Sequence, residues 1–136
     1  MTATAHALLG FAAWSLLLVL CIGLFRLYRT ASTGKQPNTY LASGEDLPGF
    51  GARLTRAHAN TYEFLPAAGA VMLYAIATGQ TGVTDGLANY LLGARILQSL
   101  IHIASTSVPA VFARFLFFAA QVGIVAWWVY LFLSAG

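Results

Sequence analysis

From its N-terminus the chain alternates long apolar runs with short polar breaks, and the runs have the length of membrane-crossing helices. The first run, about Ala3 to Phe25, contains no Lys, Arg, Asp or Glu. A signal peptide is the competing reading, but such peptides place basic residues before an apolar core of roughly 7–15 residues. Here the run is longer and its basic residues, Arg26 and Arg29, follow it, which predicts a transmembrane helix over about 3–28. From Thr30 to Phe50 the texture changes. Residues such as Gly34, Pro37, Asn38, Gly44 and Pro48 punctuate the segment and Lys35, Glu45 and Asp46 charge it, which predicts a solvated loop over 30–50. A second helix is expected over about 51–78, closed by Gly79, Gly82, Asp85 and Gly86. A third spans about 87–105 and stops at the Ser-Thr-Ser-Val-Pro stretch ending at Pro109. The fourth covers about 110–133 and ends in Trp127, Trp128, Tyr130 and Phe132, rings of the kind enriched at the water–lipid boundary. One crossing takes about 20 residues. The expectation is therefore an all-α membrane protein: a four-transmembrane-helix up-and-down bundle forming a single domain over 1–136.

Composition agrees. Only 8% of the residues are charged, 59% are hydrophobic, and the mean hydropathy is +0.74, whereas a soluble domain carries about 25% charged residues. Disorder needs the opposite balance. Cys21 is the only cysteine, so an intrachain disulfide is excluded. The net charge is +3, and its placement matters more than its size. Arg26, Arg29, Lys35, Arg53 and Arg56 gather around the first loop and Arg114 lies beside the third, on the same side of an up-and-down chain. The opposite side has no Lys or Arg. The positive-inside rule then puts the long loop in the cytoplasm and both termini outside. A basic cytoplasmic side suits anionic membrane lipids and gives no reason to invoke nucleic acid.

Charges within membrane helices are costly and usually face a protein interior or a watery cavity. In the second helix Arg53, Arg56, Asn60 and Glu63 fall at offsets of three, seven and ten, within an arc of roughly 80° at 100° per residue. His58 lies roughly 140° away by the same count and reads as a packing residue. In the third helix Arg95, Gln98 and His102 share an arc of about 60°. Two polar stripes on neighbouring antiparallel helices predict one shared site, rich in guanidinium groups and holding a single carboxylate, Glu63. Guanidinium groups bind carboxylates and phosphates in a two-pronged geometry, so an anionic ligand is expected, with Glu63 taking its amine or fixing an arginine. A structural reading stays open beside it: Arg53 and Arg56 as helix-end residues reaching for headgroups, and Glu63–Arg95 as an ion pair between helices. The histidines lack companions at metal-ligand spacing, so no metal is expected.

The run Arg53-Leu-Thr-Arg56-Ala57-His58-Ala59-Asn60-Thr61-Tyr62-Glu63-Phe64-Leu65-Pro66 closely resembles the second-helix signature of the MAPEG family, membrane-associated proteins in eicosanoid and glutathione metabolism. Gly23-Leu-Phe-Arg26-Leu and the Arg95…Gln98…His102 series are similar to the family's as well, and the resemblance, to a bacterial-type member, covers essentially the whole chain. It implies a homotrimer in the bacterial inner membrane that binds glutathione as co-substrate near the cytoplasmic face, between subunits. It also implies transfer of glutathione to lipophilic electrophiles or reduction of lipid hydroperoxides. The glutathione-binding set it implies is Arg26, Arg53, Arg56, Asn60, Glu63, Arg95 and Gln98, with His102 on the same stripe. An arginine at the start of the fourth helix, here Arg114, would stabilise the thiolate. The family usually carries Tyr where this chain has His102, and the stretch from there to Arg114 is a few residues longer than the common pattern. The alternative is a non-catalytic protein of the same fold that binds a partner or anionic lipid.

Overall fold

The computed structural model describes residues 1–135; Gly136, the last residue of the expected domain, lies outside them. Within the described residues the chain is all-helical. Helix α1 (Ala3–Thr33) is followed by a single 3-10 turn at Pro37–Thr39 and by α2 (Gly49–Ala77). A second such turn at Thr81–Val83 leads into α3 (Asp85–Ala104), and α4 (Val108–Ser134) ends the bundle.

Local chemistry sets the helix ends. Thr2 caps α1 by accepting the Ala5 N–H. The helix continues past the composition change at Thr30 and stops only at Gly34, whose φ of 71° lets its N–H reach back to the Thr30 carbonyl. The loop expected over 30–50 is thus shortened to 34–48. Pro48 caps α2 from an extended conformation, and Asp85 occupies the first turn of α3, where a carboxylate meets the positive end of the helix dipole. Pro66 lies inside α2 and leaves the Tyr62 carbonyl without its helical donor.

Tertiary hydrogen bonds fix the directions. The starts of α1 and α3 meet where Asp85 Oδ1 accepts from Thr4 N at 2.8 Å and Thr4 Oγ1 at 2.6 Å. At the other end the start of α2 meets the finish of α3, where Arg53 Nε donates to the Ile103 carbonyl at 2.6 Å. Helices α1 and α3 therefore run one way and α2 the other. Helix α1 packs on α2 and α3, while α4 lies mainly against α3.

The core has two parts. Ala7, Phe11, Ala68, Met72, Ala88, Leu91, Val125 and Trp128 fill the half near the chain termini, and Leu18, Ile22 and Leu54 fill the half near the first loop. Trp128 was expected among the boundary aromatics but is fully buried, while Trp127 and Tyr130 remain exposed. Small residues set the spacing: a Cβ on Gly51 would overlap the Phe25 ring. Helices α1 and α4 are each long and apolar enough to cross a membrane, with mean hydropathies of 2.5 and 2.0 over their best windows. Their outward surfaces carry Leu16, Leu20, Phe115 and Leu116. Helices α2 and α3 carry most of the polar residues of the site, joined by Arg114 and Gln121 of α4.

Candidate functional site

The α2 stripe does not act as one unit. Arg53 turns toward the end of α3, and its bond to Ile103 satisfies a carbonyl left over at the helix terminus. Arg56 and Glu63 remain exposed, and neither makes a salt bridge among the described residues. With Thr55, Ala59, Asn60, Tyr62 and His102 they line a cavity of about 410 Å³, closed on one side by Ala42 and Ser43 of the first loop. That volume lies within the roughly 300–1,000 Å³ of ordinary small-molecule sites.

Arg95 is fully buried and lines none of the cavities described here. Its Nη1 donates to Asn60 Oδ1 at 2.6 Å and to the Asn60 carbonyl at 3.2 Å. The guanidinium carbon stands 4.8 Å from the centre of the Phe64 ring and 5.6 Å from that of Phe11. Among the described residues no carboxylate pairs with it, so the Glu63–Arg95 ion pair considered from sequence is not formed. Desolvated cation–π contacts are worth up to about 2 kcal/mol each, and they offset part of the cost of burying this charge. Its Nε and Nη2 have no hydrogen-bond partner among the described residues.

The network continues across the bundle. Gln98 Nε2 donates to the same Asn60 Oδ1 at 3.1 Å, and Gln121 Nε2 donates to Gln98 Oε1 at 2.9 Å and to the Phe117 carbonyl at 2.8 Å. Thr61 and Ser99 hydroxyls meet at 3.3 Å alongside. A polar chain thus crosses α2, α3 and α4. Sequence reasoning missed Gln121; the signal was a single amide inside an otherwise apolar membrane-length helix.

A second cavity, of about 190 Å³, opens between α3 and α4 and is lined by Asn60, Gln98, His102 and Arg114 together with Val111, Phe115 and Phe118. A third, of about 160 Å³, is bounded by Asn60, Glu63, Phe64 and Phe118. Asn60 borders all three. His102 borders the first two, with Arg56 in one and Arg114 in the other. The extra residues before α4 do not carry Arg114 away: it lines the same groove as Gln98 and His102.

The first loop is strapped over the site. Arg26 Nη2 donates to the Leu41 carbonyl at 2.8 Å, and Asp46 Oδ1 accepts from Leu41 N at 3.1 Å. Asp46 also pairs with Lys35 at 2.9 Å. The hydrogen bond from Lys35, supported by those from backbone N–H groups, holds the Asp46 carboxyl below its ordinary pKa of 3.8. The Tyr40 hydroxyl donates to the Arg26 carbonyl, and both Arg26 and Lys35 stand over the Tyr40 ring at 5.5 and 5.1 Å. Gly44, with φ of 74°, sits so close to α2 that a Cβ there would lie 2.7 Å from Thr55 Cβ.

Bundle, polar stripes and loop together invite comparison with known families, and the model of the MAPEG family matches residues 4–134, from the first turn of α1 to the end of α4. The chain belongs to the MAPEG family. No curated protein and no solved structure matches it. MAPEG proteins are membrane-associated and use glutathione, and the family holds both glutathione transferases or peroxidases and non-catalytic members.

In this MAPEG chain the nine residues singled out from sequence divide by position. Arg56, Asn60, Glu63, Gln98, His102 and Arg114 border the cavities. Arg26 and Arg53 brace backbone carbonyls, and Arg95 lies behind Asn60. The donor set fits glutathione. Arg56 and Arg114 are cations without a carboxylate partner among the described residues, suited to its carboxylates and thiolate. Glu63 has no ion-pair partner among the described residues and is suited to its ammonium.

Proposed function

We propose that this protein is a membrane-bound glutathione-dependent transferase or peroxidase acting on lipophilic electrophiles or lipid hydroperoxides. The observation that carries this reading is that Asn60 and His102 border both the cavity holding Arg56 and Glu63 and the groove holding Arg114. A ligand spanning the two would have its charged ends at Arg56 and Glu63 and its sulfur toward Arg114. Bound glutathione supplies the nucleophilic thiol. Asn60 and Arg56 orient the tripeptide, and the Arg114 guanidinium favours the thiolate over a thiol whose unperturbed pKa is about 8.5. Val111, Phe115 and Phe118 give the same groove an apolar wall, suited to a substrate arriving from lipid.

We further propose a multi-pass homotrimer whose first loop is cytoplasmic. Glu63 lies at the middle of α2, is exposed on the single chain, and has no ion-pair partner among the described residues. A bare carboxylate facing hydrocarbon costs several kcal/mol, so a neighbouring subunit or a watery cleft must cover it. The six basic residues at the first-loop end support the orientation.

The test is a titration of the purified protein with glutathione, following thiolate absorbance at neutral pH. Wild type should bind and develop the thiolate signal; Arg114→Ala should bind yet lose the signal. Absence of binding at millimolar glutathione overturns the reading. Binding with no thiolate in wild type favours the alternative, a non-catalytic protein of the same fold that binds a partner or anionic lipid.

A further inference from the structure

The donors along the buried polar chain run in one direction only, and a single residue sets that direction. Arg95 cannot accept a hydrogen bond, so the atom of Asn60 facing it must be the oxygen. That oxygen then accepts a second bond from Gln98 Nε2, which uses both of its lone pairs. With its nitrogen committed to Asn60, Gln98 must turn its oxygen toward α4. There it meets Gln121 Nε2, whose own position is held by the Phe117 carbonyl one helical turn away. Each amide orientation follows from the one before it.

Asn60 Nδ2 takes no part in these bonds, and Asn60 borders all three cavities. An asparagine free to flip could offer either a donor or an acceptor to a ligand. Here the flip would cost the bonds from both Arg95 and Gln98. We propose that Gln121 is a positioning residue for the ligand site: acting through Gln98 and together with Arg95, it locks Asn60 as a pure donor, so that the site selects an acceptor oxygen, a carboxylate or peptide carbonyl, at this point. The proposal rests on the glutathione reading for the identity of the ligand, and extends it to a residue of α4 that touches no ligand.

The full chain, solubilised in detergent, tests this with Gln121→Met, which keeps an unbranched side chain of similar length and removes the donor. Glutathione affinity should fall about three- to tenfold, the worth of one hydrogen bond, with KM rising while kcat and the thiolate signal hold. In an Asn60→Ala background the same substitution should have no further effect on affinity. Additive losses in the two backgrounds, or unchanged affinity in the single variant, overturn the proposal. A ligand-free readout separates it from the glutathione reading. In side-chain amide NMR spectra, Gln121→Met should move the Asn60 Nδ2 resonances even if glutathione never binds. Asn60 resonances that stay in place show that no relay exists. Because Gln121 is fully buried, Gln121→Leu provides a second variant: it fills a similar volume without any donor and should reproduce the loss.

Discussion

Arg95 Nη1 approaches Asn60 Oδ1 to 2.6 Å, and this bond joins a fully buried cation to a side chain that borders the cavities holding Arg56, Glu63 and Arg114. Among the described residues the cation meets no carboxylate; its partners are amide oxygens and aromatic faces.

Replacing Asn60 by Asp separates the two sides of this side chain. The carboxylate would pair with Arg95 and compensate its buried charge, so the unfolding midpoint of Asn60→Asp should equal or exceed that of wild type. Toward the cavity, however, an acceptor would replace the amide donor. Glutathione affinity should drop at least tenfold, a charged hydrogen bond lost and a like charge gained. Isothermal titration and thermal unfolding of one preparation check both halves.

Removing the Arg95 side chain empties the space between Phe11 and Phe64 and leaves Asn60 with one fewer donor. Arg95→Ala should cost about 2–5 kcal/mol of stability, the range for a large buried side chain truncated to alanine. Arg95→Met, which refills the volume, should recover most of that loss but not the ligand affinity. Denaturant unfolding in mild detergent distinguishes the two variants.

Gly44 and Gly34 both have positive φ, at 74° and 71°, yet only Gly44 presses against another element. Gly34→Ala should cost about 1–2 kcal/mol from the left-handed backbone alone. Gly44→Ala adds a clash with Thr55 Cβ, an atom fixed to the α2 backbone, and should detach the loop. Faster proteolysis within residues 34–48 and weaker glutathione binding are the expected results for Gly44→Ala only.

Asp46 couples the loop to pH. Its folded pKa lies below 3.8 because Lys35 and backbone donors favour the carboxylate. The contribution to loop attachment is therefore complete above the unfolded value and is lost as pH falls through the lower, folded value. Limited proteolysis with an acid-active protease should show loop cleavage rising only below the ordinary carboxylate range. Asp46→Asn should show raised cleavage already at neutral pH and converge with wild type at the acidic end.

The four helices and the two stripes were legible in the sequence because a helical period places Arg53, Arg56, Asn60 and Glu63, or Arg95, Gln98 and His102, on one side whatever they contact. Periodicity does not say which neighbour a side chain finds. Arg53 and Arg56 share a face, yet one bonds the end of α3 and the other borders a cavity. Arg95 shares its face with His102 but lies deeper, where Phe11 of α1 and Phe64 of α2 cover it. The loop was legible by composition, whereas its beginning was not. Arg29, Ser32 and Thr33 are polar but helical, and the stop comes from the left-handed Gly34. Gln121 gave only a faint signal, since its partners lie 23 residues away in Gln98 and one turn back in Phe117.

The division of labour between the helices bears on how such a chain would be assembled. Helices α1 and α4 are long and apolar enough to cross a bilayer, but α3 carries Arg95 and α2 carries Arg53, Arg56 and Glu63. Under the membrane arrangement proposed here, the inner pair would have to leave the translocation machinery as a hairpin, with Asn60 already opposite Arg95. Helix α4 would follow and close the polar chain with Gln121. The bonds that orient Asn60 would therefore be complete only once α2, α3 and α4 are all in place.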